Sequence, residues 1–525
     1  MMVKMQLGGL FGDPTLANVK VDGTFGGFGV KMADEDVMFA VLVPVADFDK
    51  FVSGNANIGK PDDKGVYPIT QGQGQTEASA MFVRAGSYIA ITAPDMGEAL
   101  VGLMAKKSSN LAGILDVPTL TTATKEPLWA YLNVKQVNTA FGEDIQNGFK
   151  EMSEGMAGTG MMNATSAKAV EMMMQMVHSA MEQSDWLSLS LRPSKDFLTA
   201  SLKIQAVAGS DMAGFLTAAP AGRLPVELIE DGAMMSAAAK FNRDAWAKAN
   251  NWMIDLLAAM GDESLKADVV KLKALVNKST ASMGDTGGFT AKITGSGSSF
   301  TGTMVFDVKD EAAFRQVMKD SAELAQTGIF KRLYNSFGMK ADFTLKPEAA
   351  EYAGVKIDQA RLTMEGMGDE QADKMIKAMY GDGFDYRFAV IKGKCLATFG
   401  DNSETGIKAM IDEAKAGKAK TIGSEAKAAM ALLPGAEKMD FVATYNYVRA
   451  LAVAGPAMLA VMPGTAAPKI NVETKSNLVF AGTTGKGAAM VDIVVPKAHV
   501  LEIKTALEQM MQQMQLGQGN QPQTN

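Results

Sequence analysis

The sequence predicts an α+β protein built from two similar modules, each an antiparallel sheet of hairpins covered by amphipathic helices. Three observations predict it. Runs of alternating apolar and polar residues flank short glycine turns, the mark of a β-hairpin. Hairpins alternate with helical-period segments, and hairpins imply antiparallel sheet with helices covering one face. The order of segments recurs in the second half of the 525 residues, and an internal repeat decides architecture before any local feature does.

Each half opens with a strand, an Asp-containing bend and a helix: 39–52 (FAVLVPVADFDKFV) and 304–318 (MVFDVKDEAAFRQVM). Asp47 and Asp310 stand where a helix N-cap belongs. A hairpin follows, 81–92 (MFVRAGSYIAIT) against 388–399 (FAVIKGKCLATF), with Gly86 matching Gly393 and Ala90 matching Ala397. Short amphipathic helices come next at 95–106 and 404–413. Then 128–134 (LWAYLNV) and 441–447 (FVATYNY) share an A-x-x-N pattern at Ala130/Asn133 and Ala443/Asn446. Each half closes with a helical stretch and a second hairpin. At 186–207 Leu187, Leu189 and Leu191 alternate with serines before a turn at Arg192-Pro193-Ser194. At 471–495 the turn is placed in 482–487. The strand 289–293 pairs with 300–308 across Gly295-Ser296-Gly297. The expected division is a Gly-rich segment 1–36, a first module 37–220, a helical connector 221–288, a second module 289–512 and a disordered polar tail 513–525.

Composition narrows the function. Lys and Arg total 51 against 58 Asp and Glu, a net charge of −7, so no basic face neutralises phosphates and nucleic acid is not an expected partner. The single cysteine, Cys395, precludes an internal disulfide and a thiolate cluster, and it reads as a small buried residue of a strand. Two histidines, His178 and His499, preclude a three-histidine zinc site. The most apolar stretch, 448–463, is short and contains Pro456, so no membrane span is expected. The Gly/Phe-rich opening (8–14 GGLFGDP, 23–29 GTFGGFG) reads as the interior of a longer protein, with a leader expected upstream.

The order of elements resembles a family of bacterial extracytoplasmic proteins of unknown function found in planctomycetes and their relatives. The resembling residues are Val43-Pro44-Val45-Ala46-Asp47, Gly65-Val66-Tyr67, Val83 to Ala90 and Trp186 to Leu191. The resemblance implies a periplasmic or secreted location, with the cytoplasm as the alternative, and implies no activity and no catalytic residue.

Several motifs carry chemistry in principle. The 39 methionines are scattered over the chain and are densest at 161–181, where Met174, His178 and Met181 are spaced to share a helix face with ligands suited to Cu(I). The plainer reading is a packed helix with Met173, Met176, Val177 and Ala180 as its apolar stripe. The glycine loops 295–299 and 482–487 fail as phosphate cradles: Gly487 stands where a P-loop needs Ser or Thr, and Phe300 stands at the third glycine of a dinucleotide fingerprint. Both read as hairpin turns. Ser424 and Lys427 have serine–lysine spacing, but Ser424 is better placed as the cap of the helix 425–433. Trp246, Trp252, Leu256 and Met260 on one apolar helix are the candidate wall of a ligand groove between modules. No catalytic residue and no cofactor is assigned. The expected function is a non-enzymatic extracytoplasmic binding or scaffold protein, with an apolar ligand or an envelope protein as partner. The alternatives are a carrier of a lipid or other apolar molecule and a Met-based Cu(I) protein.

Overall fold

The computed structural model describes the chain except residues 1, 33–36, 71–76, 107–112, 114, 159–173, 218–219, 221, 260–262, 295–298, 328–339, 366–382, 401, 418–420, 434, 453–471 and 519–525. The class is α+β and both sheets are antiparallel throughout. The chain forms two compact units, Met1–Thr121 and Thr122–Asn525.

The first unit holds β1 (Gly26–Lys31), β2 (Val37–Pro44), β3 (Tyr67–Ile69), β4 (Ala80–Ala85) and β5 (Tyr88–Thr92) in the order β1-β2-β5-β4-β3. Asp47 caps the Phe48–Gly54 helix by accepting the Lys50 N–H. That helix buries Phe51, whose ring meets Phe11 at 5.0 Å and Phe82 at 5.9 Å edge-on. Phe11 belongs to the helix Met2–Phe11, so the Gly-rich opening is not a separate segment: Phe11, Leu16 and Val19 complete this core.

The second unit holds β6 (Leu128–Leu132), β7 (Ser184–Pro193), β8 (Phe197–Ala206), β9 (Met235–Lys240), β10 (Met283–Thr294), β11 (Ser299–Val308), β12 (Lys340–Tyr352) and β13 (Val355–Glu365). It continues with β14 (Phe384–Ile391), β15 (Lys394–Gly400), β16 (Phe441–Tyr445), β17 (Leu478–Gly485) and β18 (Ala488–Pro496). They form one sheet in the order β12-β13-β14-β15-β11-β10-β9-β16-β17-β18-β8-β7-β6. Strands β13 to β15 are covered on both faces. Phe314 of the Glu311–Thr327 helix packs on Phe306 and Phe388, and Ile407, Met410 and Ile411 of the Ser403–Ala416 helix pack with Ile357, Ala389 and Leu396. Cys395 is buried within its strand, 1% exposed.

The order β1-β2-β5-β4-β3 recurs as β10-β11-β15-β14-β13. The matched bends behave alike: Asp310 accepts the Ala313 N–H as Asp47 accepts that of Lys50. Asn133 accepts the Gln136 N–H and Asn446 the Arg449 N–H, so the A-x-x-N pattern is a strand ending in an Asn cap. The hairpin glycines differ in detail. Both loops have two residues, but Gly86 is first in its loop and Gly393 second, as the pairs Ala85↔Tyr88 and Ile391↔Lys394 require.

Strand pairing carries the match further. With Ala130 equated to Ala443, their partners Leu189 and Phe480 correspond, and so do the next partners, Leu202 and Ile493. Ser201 then corresponds to Asp492, and these two residues face each other where β8 pairs antiparallel with β18. A local two-fold axis therefore passes between Ser201 and Asp492, and it relates β6-β7-β8 to β16-β17-β18.

The compact units part at Thr121/Thr122 and not within 221–288, because β6, β7 and β8 join the sheet of the second repeat through that pairing. The segment 221–288 includes β9, which bonds to both β10 and β16 in mid-sheet. The turn between β17 and β18 is confined to Lys486-Gly487, and Gly482 lies in β17 beneath the Phe441 ring. The loop between β7 and β8 spans residues 194–196, later than Arg192-Pro193-Ser194. The C-terminal helix runs Lys497–Gln518, past the tail boundary expected at 513, since Gln, Met and Leu are good helix formers. Residues 295–298 of the other glycine turn lie outside the described residues, although Thr294 and Ser299 pair on either side of it.

Candidate functional site

The seam made by β8 and β18 has two unlike faces. On one, Val442, Val479, Ala481 and Val494 pack under Ala426 and Ala429 of the Ser424–Ala431 helix. Along β7 the same side carries Ser188 and Ser190, only 5% and 3% exposed. The other face is apolar in register. Leu128, Ala130 and Leu132 of β6 stand beside Leu191, Leu189 and Leu187 of β7. These adjoin Ala200, Leu202 and Ile204 of β8, and β8 adjoins Ile493, Val491 and Ala489 of β18. The row continues through Phe480 and Leu478 to Ala443, Tyr445, Ala237 and Met235. This apolar face meets water: Leu128 is 50% exposed, Leu202 44% and Leu132 43%. The ordinary arrangement of a half-buried strand, apolar side inward and polar side outward, is thus reversed along β6 to β8. At one end Ile204 and Ala489 are packed by Met212 and Leu216.

On the covered side the seam is polar. The Ser201 hydroxyl donates to Asp492 Oδ1, and Arg192 donates to the Ser201 oxygen at 3.2 Å. Trp129, Tyr131 and Trp186 form a row of rings 6.0 and 5.9 Å apart, with the Lys203 ammonium 5.1 Å from the Trp186 ring.

A second polar assembly ties the C-terminal helix down. His499, fully buried, accepts the Tyr447 N–H at Nε2, 3.1 Å away. That partner puts the ring proton on Nδ1, which lies 3.2 Å from Glu502 Oε2. Ser476 and Thr474 donate their hydroxyls to the same carboxylate at 2.7 and 2.6 Å. Burial lowers the His499 pKa and outweighs the Glu502 charge that raises it. Burial likewise works to raise Glu502, but the Thr474 and Ser476 hydroxyls hold it below the ordinary value. A Ser–His–carboxylate nucleophile needs the serine on one ring nitrogen and the acid on the other. Here both meet Nδ1 and an amide occupies Nε2, so the group is wired to hold a helix and not to deprotonate Ser476. Beside it Arg449 grips Glu425 through two bonds of 2.9 and 2.8 Å and donates to the Ala233 carbonyl.

Ser424 is not the N-cap expected from its sequence position. It is the first helical residue, and Asp231 caps the helix from 193 positions away by accepting the N–H of Ser424 at 2.7 Å and of Glu425 at 3.0 Å, and the Ser424 hydroxyl at 2.9 Å. Partial burial opposes ionisation of Asp231, but the Ser424 hydroxyl and these backbone donors lower its pKa.

Met174, His178 and Met181 all lie on the helical segment 174–182. The His178 ring faces the Gln146 amide nitrogen at 2.6 Å through Nε2 and Glu182 at 3.8 Å through Nδ1. Met174 is buried and Val177 is 43% exposed, so the packed stripe runs through Met174 and not through Val177; Met173 lies outside the described residues. Trp246 packs beside Phe241 at 5.9 Å, and Trp252 beside Phe215 at 6.2 Å. The two tryptophans meet different aromatic neighbours. Leu256 lies in the Arg243–Ala259 helix, and Met260 lies outside the described residues. The open leucine face was missed because alternation marks a two-sided strand without saying which side is wet.

Comparison of the chain with protein-family models, curated proteins and solved structures gives no match. No helix among the described residues is long and apolar enough to cross a membrane.

Proposed function

We propose that the protein is a non-enzymatic binding or scaffold protein, working outside the cytoplasm, whose working surface is the open apolar face of the seam sheet and whose occupant is a second copy of the chain. The observation that carries this is the reversal along β6 to β8, where leucines face water while Ser188 and Ser190 are buried. Evolution of a monomer disfavours that arrangement, since each exposed leucine forgoes its transfer free energy. Seven strands from β6 to β9, about 4.8 Å apart and about five residues long, present roughly 500 Å². That lies within the size of the largest patches on monomers, which are often functional. It supplies the apolar core of an interface of about 800 Å² per partner once a polar rim is added. The face is a sheet rather than a pocket, which suits sheet-on-sheet packing at about 10 Å and not the enclosure of an acyl chain. The net charge of −7 opposes attraction to an anionic membrane. The extracytoplasmic location rests on the family resemblance.

Sedimentation of the full chain tests the reading. We expect a concentration-dependent dimer that dissociates in Leu202→Lys and Leu189→Lys while the circular dichroism is kept. A monomer at hundreds of micromolar overturns it, and so does a dimer indifferent to both substitutions. A monomer that takes up a fluorescent fatty acid lost in Leu202→Lys also overturns it, in favour of an apolar ligand.

A further inference from the structure

We infer that a groove over β10, β11 and β15 is a binding site for a small neutral polyhydroxylated ligand, a single sugar ring. It is distinct from the apolar face, because it lies on the side of the sheet covered by the Ser403–Ala416 helix.

The floor is built by strand register. Thr290, Thr303 and Thr398 stand side by side across three strands, and Lys292 stands beside Thr301 one step along. One wall is the first turn of the Ser403–Ala416 helix, with Ser403 and Thr405 on the lining and Asn402 at the rim; the other is Glu230. The groove is open to solvent on one side and holds about 250 Å³, just under the roughly 300–1,000 Å³ of sites for drug-sized molecules. It admits one ring and not a dinucleotide.

The chemistry selects the class. Lys292 Nζ is paired with Glu230 at 2.8 Å, so among the described lining residues the side chains carry no net charge to attract an anion. Two hydroxyls are already committed: Thr398 donates to the Ser403 carbonyl at 2.6 Å, and Thr290 shares a bond of 2.8 Å with Ser236. The hydroxyls of Thr301, Thr303, Ser403 and Thr405 make no hydrogen bond among the described residues, although Ser403 is only 7% exposed. None of these four oxygens is sealed from the groove, and a ligand hydroxyl, which both donates and accepts, takes the place of the water they meet. The same row runs on through Ser236 of β9 and Thr444 of β16 and turns apolar only at Val479 of β17.

Titration calorimetry on the full chain with D-glucose, D-mannose and D-galactose tests the site, with inorganic phosphate and glucose 1-phosphate as anionic arms. We expect saturable binding of at least one neutral sugar, weakened tenfold or more by Thr303→Val and by Ser403→Ala, with thermal midpoints near wild type. Thr405→Ala, at an exposed helical position, serves as the variant that folds in any case and is expected to weaken binding several-fold. No heat with any of the three sugars overturns the inference, as does sugar binding unchanged in all three variants, or binding of phosphate alone.

Discussion

Ser201 and Asp492 occupy the same place in two copies of one strand, and they hydrogen-bond to each other across the line where those copies meet. Antiparallel pairing of equivalent strands makes a local two-fold axis, and the residues nearest that axis must face their own counterparts. In this chain the counterparts have diverged into a hydroxyl and a carboxylate, which bond where two identical side chains would not do so as well.

Asp492 is 5% exposed, so removing its partner leaves a buried carboxylate short of a donor. Ser201→Ala is expected to lower stability by about 1–3 kcal/mol and Asp492→Ala by a similar amount. The double variant should cost less than the sum, because the second change removes a group already stranded. Urea unfolding of the four proteins measures the coupling; full additivity would deny the bond a role.

Asp231→Ala is expected to cost about 1–2 kcal/mol through loss of the cap on Ser424–Ala431. The folded-state pKa of Asp231 is lowered, so its contribution is present above the unfolded aspartate value and is lost as pH falls through the folded one. Stability curves of wild type and variant should therefore converge in acid below the ordinary aspartate range. A gap that persists there would assign the effect to packing.

His499 has its pKa lowered by burial. Its contribution is complete above the unfolded value of about 6.5 and declines as pH falls below it, since the unfolded chain takes up the proton more readily. Chemical denaturation between pH 7 and pH 5 should show a loss of stability in wild type that is flattened in His499→Gln. Equal slopes would mean that the ring is protonated in the fold.

Cys395 is buried, and burial pushes its thiol pKa up, so the nucleophilic thiolate is scarce and shielded. A thiol reagent at pH 8 is expected to leave the native protein unmodified and to label one thiol per chain in denaturant. Stoichiometric labelling of the native state would contradict the burial.

Gly302 lies directly across from Phe399, and a Cβ there would come within 1.9 Å of the Phe399 ring. That ring also stacks on Phe289 at 5.8 Å, which restricts its retreat. Gly302→Ala is expected to destabilise by about 1–3 kcal/mol, read as a lowered thermal midpoint.

Much of this was legible from local pattern. Asp47 and Asp310 signalled helix starts because a cap is a short-range bond between a side chain and an amide three residues on, whereas the repeated A-x-x-N pattern flagged Asn133 and Asn446 without their role as caps. The hairpins at Gly86 and Gly393 were legible because two-residue loops demand left-handed backbone, which these glycines adopt at φ 64° and 73°. Ser424 misled for the converse reason. Its helix is capped by Asp231, and no spacing rule reaches across 193 residues. Of the groove expected at Trp246, Trp252, Leu256 and Met260, only the two tryptophan rings are placed, beside Phe241 and Phe215.

By itself the sequence determined the α+β class, the duplicated order of elements, the acidic balance and the paucity of histidine and cysteine, since these follow from composition and from periodicities of a few residues. Only the tertiary structure decided that β8 of one repeat pairs with β18 of the other, that the leucines of β6 to β8 face water while their serines do not, and that three threonines line up beneath a helix. Alternation in a strand specifies two faces, but which face is buried depends on where distant helices come to rest.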